Sequence, residues 1–410
     1  MRIAKITCCA ALLLLCAPGV RAQTDTLHLT HGIGGKVTDA RTGQALPAVN
    51  IVVPGKNYAT ISNSDGVFVI KSDSPIRELV FSHLGYKSLR MNVSGKEVAA
   101  KLTPEKYLLD PSSIVSGDPW EIVRSAIVAV RDNYSLRPEL LRGFYRETLQ
   151  KRGRYISVTE AVSRIYKSSY GLSVNYDKAA LDKSRIIVSQ RRRDTLSVKM
   201  MGGPALAVTA DVVKDHQFLF SDIVNKMYVL RMENPEYIGD RLQFVIRLFP
   251  GTEAPYPLYE GTLYIDRETL AFTRIELQMD MSDPIKATRQ MLVRKPAGLR
   301  FVPKEVSYVM TYRPGGGISR LEYFRATMSF DCDWKKRGIN TSYNLVNETV
   351  ITDVLEPADP IARNEQFRPT DILVDKAAFF TDPAFWEDYN IIAPSESLEH
   401  AVNRLRKERK

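Results

Sequence analysis

Between residues 226 and 352 turn residues interrupt the chain so regularly that few architectures remain open to it. Pro235, Pro250-Gly251, Asp283-Pro284, Pro296-Ala297-Gly298 and Pro314-Gly315-Gly316-Gly317 separate runs rich in β-branched and aromatic side chains. The runs are 226–233, 241–249, 259–266, 272–281, 287–294, 303–312, 320–331 and 343–352. Upstream, 155–167 and 185–190 read as strands, with Glu160-Ala161 weakening the first, and a short helix is expected within 204–214. Proline and glycine set the backbone angles of tight turns, and strands joined by tight turns pair antiparallel. The expectation is a mainly β chain with a large, curved antiparallel sheet, because long antiparallel sheets twist and curl.

A separate, compact β unit is expected over residues 33–103. Short runs at 35–38, 48–53, 59–62, 67–70, 78–83 and 87–93 alternate with turns at Asp39-Ala40-Arg41-Thr42-Gly43, Pro54-Gly55-Lys56-Asn57 and Ser64-Asp65-Gly66. Six or seven short strands about ten residues apart imply a sandwich. Gly66 can take the positive φ such a turn needs, which points Phe68 and Ile70 inward on the next strand. Gly35-Lys36-Val37, Asp39, Thr42-Gly43, Leu46-Pro47, Asn50-Ile51, Gly55, Thr60, Ser64-Asp65-Gly66-Val67-Phe68 and Phe81-Ser82-His83-Leu84-Gly85-Tyr86 resemble the carboxypeptidase-regulatory-like domain. The resemblance implies a transthyretin-like β-sandwich of the kind that also precedes many TonB-dependent receptors. It implies no peptidase activity.

A polar linker at 104–117 leads to a helix. Asp118 is its N-cap, Pro119 its first residue, and Ile122, Ala126, Ile127 and Val130 recur at helical spacing up to Asn133-Tyr134. Asn133-Tyr134 and Gly143-Phe144-Tyr145-Arg146-Glu147 are similar to the entry of a large second domain in envelope proteins. The second domain is expected over 118–394, before a basic helix at 395–410. Tyr259-Glu260-Gly261-Thr262-Leu263-Tyr264-Ile265-Asp266 and the strand opening at Phe272 resemble the periplasmic lipoprotein-carrier half-barrel, in which helices close an open sheet over an apolar cavity. Alternation makes Phe244, Ile246, Leu263, Ile265, Phe272 and Ile275 the inward-facing candidates for holding an apolar or acyl ligand. The competing reading packs the same six on the helix of residues 118–134. An aromatic cluster, Phe379-Phe380, Pro383 and Phe385-Trp386-Glu387-Asp388-Tyr389-Asn390, is either a plug on the sheet or a partner surface.

Residues 1–22 have the tripartite pattern of a secretory leader: Arg2 and Lys5, an apolar run from Ile6 to Cys16, then Val20-Arg21-Ala22. The run is shorter than the roughly 20 residues of a membrane span. Leu15 before Cys16 disfavours lipoprotein processing. Cleavage after Ala22 removes Arg2, Lys5 and Arg21 with no acidic residue, so the net charge falls from +10 to +7. The basic balance favours anionic envelope neighbours such as lipid head groups, and export disfavours nucleic acid. Three of the four cysteines leave with the leader, and Cys332 alone cannot form an internal disulfide. Asp331 and Asp333 beside it would raise its pKa. The run Arg191-Arg192-Arg193-Asp194 reads as a solvated strand end.

No pattern of an enzyme centre or cofactor site is legible. None of His28, His31, His83, His216 and His400 has a Glu three residues on, which excludes the usual zinc-peptidase spacing. Gly315-Gly316-Gly317 lacks the Lys-Ser/Thr of a phosphate loop. Two readings of different class remain: a non-catalytic periplasmic or outer-membrane-associated binding or assembly protein, docking to an envelope partner through the sandwich, or an envelope hydrolase using a carboxylate pair such as Glu160 and Asp266. A membrane barrel is disfavoured by the lack of a regular aromatic girdle. Amino-terminal sequencing of protein recovered from its own envelope fraction should begin at or near Gln23; an intact Met1 or an acylated Cys16 would overturn the leader reading.

Overall fold

The computed structural model describes residues 29–105, 117–191, 194, 198–200, 203, 205–220, 224–315, 317–334, 339–356, 358–368, 371, 378–379, 386 and 389–408. The leader, His28, residues 106–116 of the linker, Arg192, Arg193, Phe380, Pro383, Phe385, Glu387 and Asp388 lie outside them.

The amino-terminal unit has seven strands: β1 (His31–Asp39), β2 (Asn50–Val52), β3 (Ala59–Ile61), β4 (Val67–Ser72), β5 (Glu78–Ser82), β6 (Leu89–Asn92) and β7 (Glu97–Leu102). They form two sheets, ordered β4-β1-β7 and β3-β2-β5-β6. Period-two alternation builds the core between them. β4 turns Phe68 and Ile70 fully inward, β5 does so with Leu79 and Phe81, and Phe68 meets Phe81 edge to face at 5.6 Å. Each such side chain contributes about 1.5–3 kcal/mol on leaving water. The seventh strand, β7, lies parallel to β1. Its Glu-Val-Ala-Ala-Lys-Leu sequence has weak β propensity, so pairing with β1 rather than local preference makes it a strand. The Asp39 carboxylate accepts from the Arg41 and Thr42 amides at 2.7 and 2.8 Å and from the Tyr86 hydroxyl at 2.8 Å, holding the first turn.

The second unit opens with α1 (Pro119–Asn133), whose N-cap Asp118 accepts from the Trp120 amide at 3.0 Å. Then come β8 (Glu139–Lys151), β9 (Arg154–Lys167), β10 (Lys178–Val188), β11 (Lys199–Met200), α2 (Leu206–Thr209) and α3 (Gln217–Phe220). A meander follows through β12 (Tyr228–Met232), β13 (Glu236–Ile238), β14 (Arg241–Pro250), β15 (Tyr259–Asp266) and β16 (Phe272–Met279). After α4 (Pro284–Met291) and β17 (Leu292–Arg294) it continues through β18 (Leu299–Gly315), β19 (Ile318–Trp334) and β20 (Ile339–Leu355). Two short strands, β21 (Gln366–Phe367) and β22 (Ala378–Phe379), and α5 (Glu396–Lys407) complete the described elements.

Thirteen of these strands make one sheet, ordered β12-β14-β15-β16-β18-β19-β20-β8-β9-β10-β21, with β13 on β14 and β22 on β10. Two hairpin runs, β8 to β10 and β12 to β20, join where β20 pairs antiparallel with β8. The sheet does not close on itself. The segment 287–294, expected as a strand, is instead mostly helix. Asp283 accepts from the Ile285 and Lys286 amides at 2.9 and 3.1 Å, Pro284 takes the first helical position, and Ala287 and Met291, four apart, are the buried pair.

Both faces of the sheet are apolar and both are covered. On one face Val123, Ala126 and Val130 of α1 share a core with Ile246, Leu263, Ile275, Phe324 and Met328. On the other, Phe144, Val162, Tyr323 and Val350 pack with Ile61 of the sandwich and with Trp386 and Ile392 of the carboxyl-terminal segment. An antiparallel bridge, Leu84 to Ile238, and a 2.8 Å hydrogen bond from the Gly85 amide to the Tyr237 carbonyl join the two units through backbone.

Gly66 has φ +73°, and a Cβ there would lie 2.4 Å from the Val37 carbonyl oxygen. Gly66→Val should lower stability by about 1–3 kcal/mol through strain alone, with the clash adding to it; an unchanged denaturation midpoint would show that the turn relaxes without cost.

Candidate functional site

The structure gathers all six apolar candidates into two adjacent rows on the helix-covered face. Phe244 pairs with Ile265, Ile246 with Leu263, Leu263 with Ile275, and Ile265 with Phe272. Five are buried, and Phe244 is half-buried against the same core, with the Arg267 guanidinium 5.0 Å from its ring. None of the six lines a cavity described here. The space that remains on this face lies one row further along the same strands. It is a groove of about 170 Å³ between residues 206–215 and the sheet, lined by Tyr259, Leu277, Tyr308 and Met310. Leu277 pairs with Tyr308, and Met310 pairs with Ile275. Gly261 makes this possible, since a Cβ there would come within 2.9 Å of Leu277 Cδ2 and 2.1 Å of the Glu276 carbonyl oxygen.

Asp211, one wall of the groove, belongs to a buried ionic network. Lys167 Nζ donates to Asp211 Oδ2 at 2.6 Å and stands 3.0 Å from Asp177, while Lys214 Nζ donates to Asp177 and to the Ser168 carbonyl. Tyr170 and Tyr312 donate to Asp211 at 3.1 and 2.8 Å. Burial opposes ionisation of Asp211, but the Lys167 charge together with the hydrogen bonds from Lys167, Tyr312 and Tyr170 outweighs it and holds the carboxyl below its ordinary value; Lys167 is raised by Asp211 and Asp177 together against the same opposition. Lys214 is lowered, because burial outweighs its bond to Asp177. Two lysines and two aspartates neutralise one another, so the network pins residues 167–177 and 206–214 to the strand ends beneath the groove.

A second buried cluster lies on the sandwich-covered face. Glu160 sits between Arg146 and Arg185: Arg146 Nε donates to Oε1 at 2.8 Å, and Arg185 Nε and Nη2 donate to Oε2 at 2.8 and 2.6 Å. Trp386 Nε1 adds a bond to Oε2 at 3.1 Å, and Arg185 lies 4.9 Å from the Trp386 ring. Burial pushes the Glu160 carboxyl up, but the two guanidiniums more than offset it, leaving it below the ordinary range. Burial, with the Arg146 and Arg406 charges, outweighs what Glu160 returns to Arg185, so its own pKa falls, yet it stays charged. Arg146 also donates to the Ile392 and Ala393 carbonyls at 2.6 and 3.4 Å. Trp386 and residues 389–396 therefore act as a strap. It bonds to the sheet through Arg146, and to the sandwich through Thr60 to the Ile391 carbonyl, Asn63 to the Pro394 carbonyl, and a two-way pair between Asn390 and the Lys71 backbone.

Glu160 and Asp266 cannot act together. Six strand positions separate β9 from β15, roughly 29 Å at strand spacing. Asp266 instead caps its own turn, accepting from Thr269 and from the Arg241 guanidinium. Among the described residues no three His, Cys, Asp or Glu side chains are grouped for a metal. Cys332 is buried on the helix-covered face, and burial first, then Asp331, pushes its thiol up to about 11. Arg191 pairs with Glu408 at 2.7 Å. The sequence did give one sign of the Glu160 cluster, a carboxylate that breaks the apolar pattern of a strand. The Asp211 network has no such sign, because its members come from two strands, β9 and β18, and from separate loops.

Removing the Glu160 charge leaves two buried guanidiniums facing each other. Glu160→Leu should cost about 3–5 kcal/mol, read as a lower denaturant midpoint. A carboxyl with a depressed folded pKa stabilises fully above its unfolded value, near 4.3, and loses that contribution as pH falls below it. Wild type should therefore lose stability below about pH 4 more steeply than Glu160→Gln; parallel acid profiles would remove Glu160 from the account.

Among solved structures, a DUF1329 family protein from Desulfovibrio piger is 10% identical over 57% of this chain and 94% of its own, with a TM-score of 0.23. A LolA superfamily protein from Nitrosomonas europaea is 10% identical over the same shares, at 0.20. MucB in complex with MucA(peri) is 13% identical over 60% of this chain and all of its own, at 0.17. None of these likenesses is close enough to carry an argument about this chain. No curated protein is a significant match. What the comparisons do establish concerns the amino-terminal sandwich: residues 33–112 match the CarboxypepD_reg-like domain family.

Proposed function

We propose that this chain is a non-enzymatic binding or assembly protein of the cell envelope, exported by its leader, whose sheet domain takes an apolar chain such as an acyl group. The observation that carries the reading is the groove beside Tyr259, Leu277, Tyr308 and Met310, left open next to the packed core of that face. Its sheet side is apolar or aromatic, the covering segment adds Thr209, Asp211 and Asp215 to Leu206, Ala210 and Val212, and the Asp211 network fixes that segment. A preformed, mostly apolar recess with one polar margin suits a lipid tail with a polar end outside. The sandwich would dock to an envelope protein or outer-membrane component, with no cofactor and no nucleic acid involved. No helix among the described residues is long and apolar enough to cross a membrane.

A fluorescent fatty acid titrated into the full chain should bind saturably at about micromolar concentration, and Leu277→Trp should weaken binding at least tenfold by filling the groove. Absence of saturable binding would leave the protein as a docking component only.

A further inference from the structure

The groove proposed to take an acyl chain is acidic where it is charged. Asp211 and Asp215 line it from the covering segment, and no Lys, Arg or His side chain lines it among the described residues. This margin departs from the chain as a whole, whose balance is basic at +10. A larger cavity of about 320 Å³ lies between the sandwich and the opposite face of the sheet. Its buried carboxylate, Glu322, is already taken up by Arg313 at 3.4 Å and by the Asn50 amide, so the groove is the better place to ask what a ligand must look like.

The two aspartates differ. Asp211 is fully buried, balanced by Lys167 Nζ at 2.6 Å and satisfied by the Tyr170 and Tyr312 hydroxyls, so it offers a ligand nothing. Asp215 is half-exposed, and its carboxylate has no salt bridge or hydrogen bond among the described residues. Its amide donates to the Asp211 carbonyl at 2.9 Å, which ties it to the buried network and holds it at the groove's edge. On the sheet side, the Tyr308 hydroxyl also has no hydrogen bond among the described residues. Burial alone pushes it up to about 12, so it stays protonated and remains a donor.

A free fatty acid carries a carboxylate at one end of its chain. If that group follows the chain inward, it loses water and finds no cation in return. If it stays at the mouth, it faces Asp215, and two like charges repel more strongly where protein displaces water. An ester or amide carbonyl meets neither obstacle. It is uncharged, it accepts a hydrogen bond such as the Tyr308 hydroxyl can donate, and the remainder of its head group stays in water. Asp215 is itself hydrated, so it asks for no cation on the ligand.

We propose that the groove selects acyl chains presented as uncharged esters or amides over free fatty acids, with Asp215 turning the carboxylate away and the Tyr308 hydroxyl donating to the acyl carbonyl. The proposal rests on the acyl-binding reading of this groove and adds to it the chemical form of the ligand. It assigns the chain to acyl groups still attached to an alcohol or an amine, and not to the acid that their hydrolysis releases.

Calorimetric titration of the full chain with glycerol monodecanoate and with decanoate, at neutral pH and low salt, tests it. The ester should bind roughly fivefold tighter or more. Asp215→Asn should bring the two within about twofold by strengthening decanoate, and added salt should narrow the gap in wild type by screening the same charge. Tyr308→Phe should weaken the ester about fivefold without lowering the denaturation midpoint, since the lost hydroxyl has no partner in the fold; unchanged ester binding would overturn its assignment as the donor. Decanoate binding as tightly as the ester, or a gap that persists in Asp215→Asn, would overturn the selectivity and leave the acyl groove standing. Binding of neither ligand would remove the acyl reading itself, and this inference with it.

Discussion

Glu160, clamped between two guanidiniums and closed over by Trp386, is the interaction on which the assembly of this molecule turns. A lone carboxylate at that depth would be prohibitively costly, and two arginines without it equally so. Together they form a triad with one net positive charge, and Arg146 directs its remaining N–H groups to two backbone carbonyls of the strap. The strap in turn carries hydrogen bonds to β3, β4 and the turn before β4. A mispaired register in β8 or β9 would separate Arg146 from Glu160, so the triad ties strand register to the position of the sandwich.

The need for that tie follows from the sheet. A sheet with one wet face can stop at its own edge, but this one has apolar side chains on both faces and must be covered twice. Local helices cover the first face, since α1 is adjacent in sequence to β8. The second is covered by a unit from the far amino end and a segment from the carboxyl end, joined by hydrogen bonds between residues more than 300 apart. Polar contacts suit this closure because they fix orientation where an apolar face alone would allow sliding. The cavity beside them is the region where the two surfaces do not meet.

Much of this was legible in the chain. Turn residues located nearly every strand, Asp118-Pro119 located α1 to the residue, and Gly66 located the tightest turn of the sandwich, because each of these is a local backbone requirement. The segment 287–294 misled because Met291, Leu292 and Val293 read as a strand, while the deciding signal, an Asp-Pro cap, lay just before it. The candidate site was half legible. Alternation relates Phe244 to Ile246 and Leu263 to Ile265, a bulge between β15 and β16 brings Phe272 to the same face as Ile275, and whether a face is filled depends on what packs against it, which is not local. Asn50 and Glu322 meet across two units, and nothing in the sequence links them.

The strap also imposes an order on how the molecule comes into being. A chain made from its amino terminus presents the sandwich first, and domains tend to fold as units as they emerge. The surface that the sandwich will bury, with Asn50, Val52, Val80 and Ser82 on it, must then wait, uncovered, while the thirteen-stranded sheet assembles. Its last fasteners, Asn390 and the carbonyls of Ile391 and Pro394, arrive only more than 300 residues after the sandwich positions they hold. The finished interface is thus a seal set only after the sheet between its two sides has been made, and a chain cut before Trp386 would be left with its two halves unlocked.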